Sequence, residues 1–297
     1  MRQSENYWRQ RVIEVEAALL ARMPENKVRP RLEPTRRVVD LLGSPQKAYR
    51  VIHVTGTNGK TSTTRFIERI LREHGLRTGR FTSPHLVSLQ ERIAIDGDPV
   101  EDEALVRAWN EIEPILKLVD DELLAADDTR LTYFEVLSIL AFVVFADAPI
   151  DVLALEVGMG GEWDSTNVAD GDVAVFTPIA LDHVDRLGHT IEEIATTKSG
   201  IIKPGAAVVI GKQRPEALAV LRAKADAIAD VRYELERDFS VTDSETLNGA
   251  QKFGVSGLAG NYPGLLMPLL GDFQAENAAV AIAAVEAFMG YGQKPIS

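Results

Sequence analysis

VIHVTGTNGKTSTT, residues 51 to 64, opens with the apolar residues Val51, Ile52 and Val54 and breaks at Gly56. That pattern reads as a buried strand running into a loop. The loop carries Gly56, Asn58 and Gly59 ahead of Lys60 and Thr61, and Phe66, Ile67, Ile70 and Leu71 then recur at helical spacing. A helix start leaves backbone N–H groups without intrahelical acceptors and carries partial positive charge, so an anion is stabilised there. Glycines let the backbone curl around a phosphate. Lys60 would then reach the β- and γ-phosphates of ATP, and a hydroxyl of Thr61 or Ser62 would face Mg²⁺. The spacing is unusual, since two residues rather than four separate Gly56 from Gly59-Lys60.

Working outward, the chain of 297 residues is 45% hydrophobic, enough for a full core. A net charge of −12 argues against a nucleic-acid partner held through phosphate contacts. There is no cysteine, which leaves oxygen and imidazole as metal ligands and excludes a thiol nucleophile. The N-terminal MRQSENYWRQ lacks an apolar segment with a cleavage site, and the apolar run Val136 to Ala146 is too short to span a bilayer. The expectation is a cytoplasmic monomer with no membrane partner.

Periodicity places helices over Glu5 to Ala21 and Thr35 to Leu42, joined by a polar connection from Pro24 to Pro34. Further on it predicts a strand Thr78 to Thr82, a hairpin at Asp96-Gly97, helices Glu101 to Ala125 and Thr132 to Ala146, and strands Val152 to Val157, Val173 to Thr177 and Ala206 to Ile210. Helices are expected around Thr190 to Ser199 and Pro215 to Ala229, and a closing helix at Phe273 to Phe288. Alternating strands and helices give an α/β fold with a mostly parallel sheet covered on both faces. Glycine and proline punctuation from Val231 to Leu270 predicts a small antiparallel sheet. The expected division is one ATP-binding domain over 1–297: helices in 1–48, the phosphate-loop core in 49–230, the small sheet in 231–270 and the closing helix in 271–291.

Three segments deliver donors near strand ends. Ser83 follows Thr78 to Thr82, Glu156 lies in ALEVGMGG, and His183 lies in LDHVD. In open α/β sheets ligands bind beyond the carboxyl ends of strands, where the glycine loop also lies. Oxygen and imidazole donors there suit Mg²⁺ or Mn²⁺ bridging ATP oxygens. Each has a plainer reading: Ser83 as a turn residue before Pro84, Glu156 in a buried ion pair, His183 as a helix cap. Lys198, in ATTKSGIIKPG, reads from its context as a surface charge, and Phe134 as core packing.

Together GTNGKTS, TSPHL followed by ERI, TYFE, EVGMGGEWDSTN, LDHVDRLG, KSGIIKPG and FQAEN resemble the folylpolyglutamate synthases and dihydrofolate synthases, relatives of the Mur peptidoglycan ligases, over about residues 30 to 290. The resemblance implies a Mur-ligase-like central domain that joins L-glutamate to dihydropteroate or a folate: ATP phosphorylates the carboxylate, and glutamate attacks the acyl phosphate. It implies Ser83 and Glu156 on a first Mg²⁺ and His183 with Lys198 on a second, Lys198 being carbamylated, with Lys60, His183 and Lys198 as the catalytic groups. Asn58, Gly59, Lys60, Thr61 and Ser62 would cradle the phosphates and Asn277 would touch the nucleotide, unless it is a helix-start cap. Thr132, Tyr133, Phe134, Glu135, Trp163 and Asp164 would form the pterin side, a ring stacking on the flat ligand and a carboxylate accepting from its N–H edge. SPHL to Arg92 would be a mobile folate loop.

Two departures accompany the resemblance. Glu162 stands where the family often has Arg. Family members continue past this chain's last residue, Ser297, into a second α/β domain, so little ligation is expected from the 297 residues alone. Two other readings stay open: a Mur-type ligase acting on a UDP-linked muramyl precursor, and a nucleotide-dependent binding module.

Overall fold

A computed structural model describes residues 2–25, 27 and 29–296, with side chains from Asn6 onward. Asn26 and Val28 of the Pro24 to Pro34 connection, and Ser297, lie outside the described residues. In chain order the elements are α1 (Arg2–Leu20), α2 (Glu33–Leu41), β1 (Arg50–Thr55), α3 (Lys60–Glu73), β2 (Thr78–Phe81), β3 (Ile93–Ile95), β4 (Asp98–Pro99), α4 (Asp102–Ala125), α5 (Tyr133–Asp147), β5 (Val152–Glu156) and β6 (Val173–Phe176). There follow α6 (Val184–Leu187), α7 (Ile191–Ser199), β7 (Ala207–Ile210), α8 (Pro215–Ile228), β8 (Val231–Glu234), β9 (Ser240–Leu247), β10 (Ala250–Ser256), β11 (Asn261–Met267) and α9 (Asp272–Gly290).

The large sheet has the order β4-β3-β2-β5-β1-β6-β7-β8. β1, which feeds the glycine loop, lies inside it between β5 and β6, parallel to both. Period-two alternation divides the core between the faces. Val51, Leu153 and Leu155 pack with α1, α2, α4 and α5, while Ile52, Val54, Val152 and Ala154 pack with α3, α9 and the small sheet. Ala174, Phe176, Val208 and Ile210 meet α7 and α8. α5 is apolar around its circumference because it is buried all round, from Val136 to Phe145.

The expected elements fall within a few residues of their predicted ends, with one correction. The sequence pattern places β8 in the small antiparallel sheet, but it pairs parallel with β7 and forms an edge of the large one. The small sheet is β11-β10-β9. The Asp96-Gly97 hairpin forms with both residues at positive φ, 50° and 88°, as a two-residue turn of this twist requires.

Candidate active site

The loop after β1 is fastened before any ligand arrives. Thr57 and Asn58 donate their N–H groups to Pro178 O at 2.9 and 3.3 Å, tying the loop to the end of β6. Thr63 N–H donates to Gly59 O as a helical bond, so the amides of Lys60, Thr61 and Ser62 precede the ladder of α3. Gly59 caps the helix at φ 83°, and a Cβ there would lie 2.6 Å from Asn277 Oδ1. Asn277, buried near the start of α9, is therefore packed against the loop, and its Nδ2 donates to Gln274 Oε1 at 3.3 Å.

Charge on this side lacks matched partners. Lys60 Nζ donates to Gly56 O at 3.1 Å and Thr57 O at 3.3 Å, and Lys198 Nζ donates to the same Gly56 O at 2.8 Å. Lys198 is 3% exposed, so the surface reading of this residue is corrected: its helix α7 turns it inward beneath the loop. Burial, then repulsion from Lys60, brings its ammonium down to about 7. Glu156, 1% exposed at the end of β5, accepts from Thr61 Oγ1 at 2.8 and 3.0 Å and from the Ser83 N–H. Burial pushes its carboxyl up to about 7, against the pull of Lys60 and these hydrogen bonds.

Ser83 and Glu156 are thus brought together, and a buried carboxylate short of positive charge fits a hard cation such as Mg²⁺. Lys198 as an amine does not fit as a metal ligand; it would need conversion to an anionic form. His183 caps the short α6 in the left-handed region, φ 46°, half exposed, with Nε2 3.6 Å from Asp182 Oδ1. Among the described residues no cluster of three or more His, Asp or Glu side chains is arranged around a metal position. Glu156 and His183 are the two such residues in the expected set, so phosphate oxygens and water would have to complete any coordination.

Beside the loop lies a cavity of about 330 Å³ whose walls include Lys60, Ser83, His183, Phe134, Trp163 and Asp164. Phosphate loop and expected substrate residues therefore share one space. Phe134 packs 5.9 Å from Phe81 and lies over Gly158, where a Cβ would be 2.4 Å from the ring.

The carboxylates of this wall are satisfied internally. Thr132 and Glu135 form a capping box on α5: Glu135 Oε2 accepts from Thr132 N at 2.6 Å, and Glu135 N donates to Thr132 Oγ1 at 3.3 Å. Arg31 holds Glu135 with two bonds of 2.9 and 3.0 Å and reaches Asp128 at 2.9 Å. Asp164, 4% exposed, accepts from Met159 N at 2.8 Å, Thr166 N at 2.9 Å, Thr166 Oγ1 at 2.5 Å and the Gly158 N–H. Burial raises the Asp164 carboxyl and these donors lower it, burial being the larger.

The walls of the cavity do not include Tyr133, which is buried beneath the Arg92 guanidinium at 5.5 Å. Glu135 and Asp164 reach the cavity with their oxygens already engaged. The segment expected as a mobile loop carries its own hydrogen bonds: Glu91 accepts from the amides of Leu86, Val87 and Ser88, and buried Arg92 binds Glu25 at 2.7 and 3.1 Å and His85 Nδ1 at 2.7 Å. Sequence reading missed Arg31 and Glu25. The basic and proline-rich character of the connection was the signal available.

A glycine-containing strand-loop-helix inside a mostly parallel sheet, opening on a shared cavity, defines an α/β domain of the phosphate-loop class. The Mur ligase middle domain matches residues 54–285, and the chain belongs to that family. Within it the chain belongs with the dihydrofolate synthases and folylpolyglutamate synthases. It is 45% identical over 291 residues to the dihydrofolate synthase/folylpolyglutamate synthase of Mycobacterium tuberculosis, covering 95% of this chain and 60% of that one. The M. tuberculosis folylpolyglutamate synthase solved with ADP and AMPPCP superposes with a TM-score of 0.88 at 43% identity, over 95% of this chain and 63% of that chain. A folylpolyglutamate synthase complex with AMPPCP and folate matches at a TM-score of 0.86 and 37% identity, over 96% and 68%. The chain thus spans about 60% of the length of curated bacterial relatives that it matches. Among the described residues no helix is long and apolar enough to cross a membrane.

Proposed function

We propose that this chain is the nucleotide- and pterin-binding part of an ATP-dependent ligase that joins L-glutamate to dihydropteroate, to folates, or to both. The observation that carries the reading is the shared cavity, in which Lys60, Ser83 and His183 face Phe134, Trp163 and Asp164. The relatives solved with nucleotide and with folate support it. ATP would transfer its γ-phosphoryl group to the substrate carboxylate, releasing ADP. The amine of glutamate would then form the C–N bond as phosphate leaves and the amine loses a proton.

No protein nucleophile is needed, and the residues act by positioning and charge neutralisation. The free amides at the start of α3 and the Lys60 ammonium would hold the polyphosphate, with Asn58, Thr61, Ser62 and Asn277 framing it. Two Mg²⁺ ions, one at Ser83 and Glu156 and one at His183 and Lys198, would supply neutralisation of the phosphate oxygens. Lys198, its amine substantially neutral near pH 7, is suited to carbamylation, which makes it an anionic ligand. Phe134 and Trp163 would sandwich a flat heterocycle.

The test is calorimetric titration of dihydropteroate into the chain with Mg²⁺ and AMPPCP, beside a UDP-linked muramyl substrate. Selective binding of dihydropteroate is expected. Binding of the UDP compound alone would overturn the reading.

A further inference from the structure

His53, the histidine of the IHVTGTNGK stretch, is a buried titratable residue that the phosphate chemistry leaves unused. It lies in β1 opposite Leu155 and Ala174, with no measurable exposure, and its Nε2 is 3.0 Å from Thr166 Oγ1 while its Nδ1 has no partner among the described residues. The Thr166 hydroxyl in turn is 2.5 Å from Asp164 Oδ1.

The proton positions follow from both ends of this chain. Asp164 is surrounded by donors alone, namely Met159 N, Gly158 N, Thr166 N and Thr166 Oγ1, which is the environment of an ionised carboxylate. The Thr166 proton therefore points to Asp164, and its oxygen must accept from His53. At the other end, a buried bare nitrogen costs less than a buried N–H with no acceptor, so the orphaned Nδ1 is the bare one. Both arguments place the proton on Nε2. Burial, followed by repulsion from Lys203, takes the imidazolium down to about 3, so the ring is neutral across the physiological range.

We propose that His53 is a positioning residue for the aromatic wall of the cavity: its Nε2–H fixes the Thr166 hydroxyl as a donor to Asp164, which clamps the Gly158 and Met159 amides beneath Phe134. The strand that ends in the phosphate loop thereby also sets the floor on which the flat substrate rests. Calling that substrate a pterin rests on the proposed function, but the hydrogen-bonded relay does not.

The experiment compares wild type with His53→Leu, which removes the donor, and His53→Gln, which can place an amide N–H near the Nε2 position. Thr166→Val and Thr166→Ser serve as a second pair should His53→Leu fail to fold. Nitrogen-15 spectra of the wild-type imidazole should show Nε2 protonated and Nδ1 bare. Hydrogen-exchange protection of the Met159 and Thr166 amides should fall about tenfold in His53→Leu and Thr166→Val, the size of one buried hydrogen bond, and return in His53→Gln and Thr166→Ser. Dihydropteroate affinity should follow the same pattern while AMPPCP affinity stays within twofold. A proton on Nδ1, unchanged exchange in both Leu and Val variants, or equal loss of the two ligands would overturn the relay. If wild type does not bind dihydropteroate, while the tautomer and exchange results hold, the pterin reading fails and the relay stands.

Discussion

The two walls of the cavity are built on opposite electrostatic plans. On the aromatic side the carboxylates are already answered: Glu135 by Arg31 and the α5 cap, Glu25 by Arg92, Asp164 by three backbone amides and a hydroxyl. On the phosphate-loop side Glu156 is driven up to about 7 and Lys198 down to about 7 by burial, and the two lysines share one carbonyl. A wall with its carboxylates paired suits a flat ligand that adds little charge. A wall with its charges unpaired waits for a polyphosphate and its cations, which would supply the missing partners.

The sharpest way to break this contrast is to unpair the finished wall. Arg31→Ala would leave Glu135, 5% exposed, without its counter-ion, and removal of one partner of a buried pair costs about 3–5 kcal/mol. Urea denaturation should show that loss, with Mg²⁺–AMPPCP affinity within twofold of wild type. A smaller effect is expected from Gly158→Ala, whose Cβ would press 2.4 Å from the Phe134 ring. Overpacking of this kind costs about 1–3 kcal/mol. Because the ring can yield only by shifting, calorimetry should find dihydropteroate bound about tenfold more weakly and nucleotide unchanged.

The paired wall was the harder of the two to read. Glycines, a lysine and hydroxyls within seven residues of one another state the phosphate cradle locally, and the strand-end positions of Ser83 and Glu156 follow from sheet topology. Pairs such as Arg31 with Glu135 and Arg92 with Glu25 join residues far apart in sequence, and no period or spacing connects them. For the same reason Thr132 to Glu135 reads as a run of substrate contacts, although Tyr133 turns beneath Arg92 and Glu135 serves the helix cap. The pattern misplaces β8 because a four-residue edge strand carries no mark of whether its neighbour is parallel. Lys198 looked like a surface charge because its burial depends on the loop packed above it, from residues over a hundred positions earlier.

The central claim is that Glu156 is held at a cost in the ligand-free chain and repaid by the bound cation and nucleotide. Its folded pKa lies above the unfolded value, about 7 against 4.5, so the folded state holds this proton more tightly in that window. Stability from this group is therefore present below about pH 4.5, declines as pH rises to about 7, and stays low above it, by up to about 3 kcal/mol. Thermal midpoints of wild type and Glu156→Gln at pH 8, each with and without Mg²⁺–AMPPCP, test this directly. The variant should melt several degrees above wild type without ligand, by about 2–4 °C per kcal/mol. Ligand should raise the wild-type midpoint and leave the variant nearly unmoved. A ligand-free variant that melts below wild type, or one that gains as much from Mg²⁺–AMPPCP, would contradict the account.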